Sequence, residues 1–124
     1  MEKEITISGK KVQFKCTGGF LIKFKELTGK DPIAAVTNIE TSLGHIAKNK
    51  DGEISSADLN IDQLMTFYEI IWVLAKTANE EVGSLSEWLD EFNEFPISDI
   101  LSELLDLIQK AFQSNLTLKT SKKN

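Results

Sequence analysis

The chain opens on a two-residue alternation. In EITISGKKVQFKC, Ile5 and Ile7 precede a break at Ser8-Gly9, and Val12, Phe14 and Cys16 resume on every second position. This period predicts a β-hairpin with one apolar face. Two strands alone are marginal in water, so the ribbon must lie on apolar surface supplied later in the chain. The period then changes. Phe20, Phe24 and Leu27 recur at steps of four and three, Thr17 stands where a helix cap belongs, and Gly29 stands where a left-handed residue would end the helix. Asp31-Pro32 predicts a restart, with a cap and a first-turn proline ahead of Val36, Ile39, Leu43 and Ile46.

Three more helical patterns follow. In NIDQLMTFYEIIWVLAKTA, one stripe runs through Ile61, Leu64, Met65, Tyr68, Ile71, Trp72 and Ala75, and a second through Phe67, Ile70 and Leu74. A helix apolar on two sides is central to a fold or shared with a partner. SLSEWLDEFNEF pairs Ser84 with Glu87 as a capping box and sets Leu85, Trp88, Leu89 and Phe92 on one face, with Asp90, Glu91 and Glu94 outside it. After Pro96, ISDILSELLDLIQKAF aligns Ile97, Ile100, Leu101, Leu104, Leu105, Ile108 and Phe112, with acids early and Lys110 late. The expected fold is therefore α+β and mainly α, an N-terminal hairpin packed on a layer of about five helices. A single domain over 1–115 is expected, followed by a tail at 116–124 that frays.

Composition narrows the class. At 124 residues and 41% hydrophobic, the chain suits one core. No apolar run reaches the roughly 18 residues that span a bilayer, and Met1-Glu2-Lys3-Glu4 lacks a secretory signal's order, so a soluble intracellular protein without membrane contact is expected. Cys16 is the single cysteine and is expected to act as a small buried apolar residue in a reducing compartment. The formal charge is -5, and every basic residue is lysine, which removes the arginine forks that read phosphate and guanine and makes nucleic acid an unexpected partner. Lysines outnumber acids over Met1–Lys30, whereas Glu80–Asp106 carries acids and no lysine.

Candidate chemistry is thin. AKNKDGEISSAD resembles an EF-hand loop in placing Asn49, Asp51 and Gly52 at positions 3, 5 and 6, but Ala47 replaces the first carboxylate and Asp58 the last, bidentate glutamate. A helix connector, with Asp51-Gly52 as the turn, is the better reading. His45 is the only histidine, near a helix end and with no nucleophile-elbow serine or cysteine around it. Gly18-Gly19 lacks the rest of a phosphate-binding loop. The acids of Glu80–Asp106 fall mostly on polar helix faces and read as solvated. No enzyme, cofactor or metal site is expected. What remains is aromatic and apolar surface beyond one stripe. Core packing is its stronger single explanation, since small domains bury area efficiently with large aromatics. As partner-binding candidates it offers Phe67, Ile70 and Leu74, with Trp88, Phe92 and Phe95 on the short helix beside them.

The order ITISGKKVQFKCTGGFLIKFKELTGKDP, then YEIIWVLAKTAN, then SEWLDEFNEFPISDILSELLDL resembles the tail assembly chaperones of long-tailed phages and prophages of Gram-positive bacteria. The resemblance covers nearly the whole chain. Its sharpest pieces are Phe24–Pro32, Trp72–Lys76 and Trp88–Phe95, which are packing and interaction motifs. It implies a non-enzymatic protein that coats the tape-measure protein and keeps it soluble in the host cytoplasm until tube subunits displace it, absent from the mature virion. It also implies a longer frameshifted form, through which the tail tube protein would be reached; a second copy of the chain, in a homo-oligomer, is a further candidate partner. Two other classes stay open: a degenerate EF-hand-like ion-binding module and an acidic nucleic-acid-mimic adaptor.

Overall fold

The computed structural model describes residues 2–35 and 61–116, with the backbone alone at 98, 105 and 109–116. Strands β1 (Glu2–Ile7) and β2 (Lys10–Lys15) are followed by helices α1 (Phe20–Thr28), α2 (Ile61–Ala78), α3 (Leu85–Leu89) and α4 (Ile97–Leu116). Residues 32–35 are also helical. The fold is α+β and mainly α, with an N-terminal antiparallel hairpin laid on helices, as the hydrophobic pattern predicts.

The hairpin turns on two residues. Ser8 has φ 51° and Gly9 φ 81°, the two positive values of a type I′ turn, whose twist matches that of the strands. A serine in this region carries a steric cost that glycine does not. Its side chain offsets the cost: Ser8 Oγ donates to Glu94 O at 2.7 Å and accepts from the Glu94 N–H at 2.9 Å, tying the hairpin tip to the segment before α4. Ser8→Ala is expected to lower stability by about 1–2 kcal/mol, a few degrees in a thermal melt. An unchanged melt would show that water replaces these bonds without loss.

Register sorts the faces. Ile5 pairs with Val12, Ile7 with Lys10 and Lys3 with Phe14, so Ile5, Ile7, Val12 and Phe14 share the inner face, where the two isoleucines and Phe14 are buried. The outer face pairs Glu4 with Gln13, bonded at 2.8 Å, and Glu2 with Lys15 at 4.0 Å. The inner face does not stay bare. β2 packs on α2 and β1 on α4, which answers the hairpin's need for apolar support.

The start of α1 departs from expectation. The cap position is Gly19, with no side-chain cap bond, and the Thr17 hydroxyl instead accepts from the Gly19 N–H at 3.2 Å. Gly18-Gly19 separates Thr17 from the first helical residue, so its oxygen closes a local turn before the helix. The other end follows the pattern: Gly29 adopts φ 74°, and its N–H reaches Lys25 O at 2.8 Å. The restart holds too, because the Asp31 carboxylate accepts from the Ile33 N–H at 2.9 Å. Val36, Ile39, Leu43 and Ile46 lie outside the described residues.

Helix α2 is the centre. From Thr66 to Ala75 every residue except Tyr68 is buried, including one charge, Glu69. Lys30 answers it, with Nζ 3.1 Å from Oε1 and 3.0 Å from Oε2. The Lys30 side chain is 53% exposed and that of Glu69 only 11%, so removing the lysine strands a carboxylate with little access to water. Lys30→Met should therefore cost about 1–2 kcal/mol, after discounting for the exposed partner. A double variant that adds Glu69→Leu should recover much of that loss in a denaturant titration; failure to recover would place the cost elsewhere.

The later helices keep to their signals. Ser84 Oγ accepts from the Glu87 N–H at 3.2 Å while the Ser84 N–H donates to Glu87 Oε1 at 3.3 Å, completing the capping box of α3. That helix ends at Leu89, short of Phe92, which lies beyond it in a turn. In α4, Ile100, Leu101, Leu104 and Ile108 are buried together with Leu107, which the predicted stripe omits. Leu105 and Phe112 lie outside the described side chains.

Candidate partner-binding groove

The loop joining α2 to α3 is fixed from α2. Trp72 Nε1 donates to Gly83 O at 2.9 Å, and Lys76 Nζ donates to Val82 O while standing 6.0 Å from the Trp72 ring centre. Asn79 adds a turn, accepting the Glu81 N–H on its side chain at 3.0 Å and the Val82 N–H on its carbonyl at 3.1 Å. These bonds set where α3 begins.

On α3 and just past it, the aromatic run folds into one cluster. The Trp88 ring meets Phe92 at 5.4 Å and Phe95 at 5.5 Å, both edge to face, and reaches Phe14 of β2 at 6.4 Å. Phe92 and Phe95 stand 5.6 Å apart, and Tyr68 of α2 lies 5.8 Å from Phe95. Edge-to-face pairs at these spacings each add about 0.5–1.5 kcal/mol beyond their buried area. Trp88 is the hub.

Between this cluster and β2 lies a groove of about 570 Å³. Its strand wall is Lys10, Lys11, Val12 and Gln13, its floor Ala75, Ala78 and Val82 with Trp88 and Phe92, and its far rim Asn79, Glu81 and Glu91. Lys10 Nζ stands 5.7 Å from the Phe92 ring centre, a cation facing an aromatic at the mouth. Lysines thus line one side and glutamates the other.

The candidate residues divide. Trp88, Phe92 and Phe95 come together, and the first two line the groove. Phe67, Ile70 and Leu74 are at 0%, 1% and 0% exposure, inside the core. They are not surface in this fold, because α2 packs against β2, α1 and α3 and this second stripe is covered by the chain itself, whereas the first stripe is exposed at Ile61 and Met65. Sequence reasoning missed the strand wall. The doubled lysine Lys10-Lys11 was its only visible sign, and alternation alone does not say which edge of a strand stays unpaired.

Other chemistry is sparse among the described residues. Burial pushes the Cys16 thiol above its ordinary pKa, which disfavours the thiolate. Native Cys16 is therefore expected to react with a thiol reagent at least about tenfold more slowly than the unfolded chain, and equal rates would contradict its burial. Among the described residues, no group of three or more His, Cys, Asp or Glu could hold a metal ion. The acids Glu80, Glu81, Glu87, Asp90, Glu91, Glu94, Asp99, Glu103 and Asp106 are exposed, as expected of solvated faces. The Asp51 loop and His45 lie outside the described residues. No helix among the described residues is long and apolar enough to cross a membrane.

Comparison with known protein families, curated proteins and solved structures found no match. Function rests on the residues themselves.

Proposed function

We propose that this chain is a non-enzymatic binding protein of the tail-assembly-chaperone kind, which covers apolar segments of a phage tape-measure protein in the host cytoplasm and is released before the virion is complete. The observation that carries this reading is the groove floored by Trp88 and Phe92, because the acidic-aromatic run that suggests the family also supplies the floor. The other two pieces of the resemblance have structural work of their own. Phe24–Pro32 stops α1 and delivers Lys30 to Glu69, and Trp72–Lys76 holds the loop that places α3.

The physics of such a role is weak, repeated binding. An apolar tape-measure chain would aggregate unless its exposed stripes were covered, and a small groove covers one short segment per copy. Co-production of the two proteins tests this. The tape-measure polypeptide should move from the insoluble to the soluble fraction and co-purify with the chain; an insoluble polypeptide beside a chain that elutes alone would refute the reading. The longer frameshifted form and its contact with the tail tube protein belong to the same proposal, read out as a second, larger product from the intact gene.

The nucleic-acid-mimic alternative draws on the exposed acids of α3 and α4. It would be preferred if the chain inhibited a DNA-binding enzyme in a salt-dependent way while leaving the tape-measure polypeptide insoluble.

A further inference from the structure

Four consecutive strand residues, Lys10 to Gln13, line the groove. Along a strand, alternate side chains point to opposite faces, so a surface touching four in a row runs along the strand's edge. The register says what that edge offers. In a two-residue hairpin the pair next to the turn, Ile7 and Lys10, exchanges both main-chain bonds, and the pattern then alternates. Val12 and Phe14 therefore turn their N–H and C=O groups toward β1, while Lys11 and Gln13 turn theirs outward, over the groove. Among the described residues the sheet has two strands, in the order β1-β2, and no main-chain bond from any of the others reaches this edge.

The geometry points to strand addition: the groove takes an extended segment of a partner polypeptide in which acidic residues alternate with β-branched apolar ones, paired to the outer edge of β2. Only an extended main chain presents donors and acceptors at the two-residue repeat of Lys11 and Gln13, because a helix satisfies its own. Charge selects the occupant. A second copy of β2 would crowd its own Lys10, Lys11 and Lys15 beside the same three lysines, which disfavours self-pairing. Acids on the partner's outer face are attracted to Lys11, while Glu81 and Glu91 across the groove disfavour acids on its other face. That selects alternation over a uniformly acidic strand, and β1 displays the matching code on the opposite edge, where Glu2 faces Lys15, Glu4 faces Gln13, and Ile5 faces Val12. Apolar residues of the incoming strand would lie on the inner face, over Phe92 and Val82, with acids beside Lys11.

This deepens the reading of the groove as a binding site by naming the conformation and chemistry of what enters it, and it does not depend on the partner being a tape-measure protein. The probe is an acetylated synthetic peptide of about eight residues alternating Glu with Val or Ile. Titrated into isotope-labelled protein, it should shift the Lys11 and Gln13 amides more than those of Val12 and Phe14. Lys11→Glu, an exposed change whose fold is checked by its melt, should weaken binding about tenfold. Gln13→Pro, which removes an outward N–H and the exposed side-chain bond to Glu4 but no main-chain bond to β1, should weaken it further, its fold again checked by its melt. A peptide with Lys in place of Glu should not bind. The inference is overturned if the acidic peptide does not bind, if the lysine peptide binds equally, or if shifts fall away from β2 and are insensitive to Lys11→Glu. Peptide binding without rescue of the tape-measure polypeptide would sink only the chaperone reading, and rescue without peptide binding would sink only strand addition.

Discussion

Replacing Ile70 by glutamate is expected to abolish cooperative folding. Ile70 is fully buried near the middle of α2, between Glu69, already matched by Lys30, and the apolar run that ends at Ala75. A second carboxylate there has no lysine among the described salt bridges to meet it. Its desolvation adds to the loss of the isoleucine's packing, and the two together exceed about 5 kcal/mol, comparable to the whole stability of a domain this size. Far-ultraviolet circular dichroism should show a broad, non-cooperative melt. The same holds for charge at Phe67 or Leu74, which are equally enclosed. A folded Ile70→Glu variant with a sharp melt would mean that this stripe faces solvent or a partner instead of the core.

Trp88→Ala carries the second-largest expected loss, about 3–5 kcal/mol in denaturant titration. The indole is buried and touches Phe14, Phe92 and Phe95, so deletion leaves a cavity bounded by three rings and removes three edge-to-face contacts at once. It also unfastens α3, a five-residue helix with little else of its own beyond the capping box. Trp88→Phe should retain part of the packing and lose about 1–2 kcal/mol. A loss below about 1 kcal/mol for the alanine variant would mean that the cluster is loosely packed and does not set the groove.

Much of this architecture was readable from local chemistry. The hairpin, the stop at Gly29, the restart at Asp31-Pro32 and the capping box at Ser84 and Glu87 each rest on a few adjacent residues, and each appears where those residues stand. Thr17 misled because two glycines intervene before Phe20, and a cap needs the right backbone distance as well as the right oxygen. The second stripe of α2 misled for a different reason. Phe67, Ile70 and Leu74 looked surplus only while the hairpin and α1 were not yet placed against the helix, and a chain folded around its longest apolar segment needs both sides of it. The groove could be half read. Trp88 and Phe92 were visible as a cluster, but the β2 edge depends on which strands pair, and strand neighbours are a tertiary fact.

The proposed role requires a partner in the space between β2 and the aromatic cluster. Amide hydrogen exchange on the chain, alone and in complex with co-produced tape-measure polypeptide, tests this directly. Protection should rise at Lys11, Gln13 and the Trp88–Phe92 segment and stay unchanged along the exposed acids of α4. Protection confined to α4, or none anywhere, would contradict it.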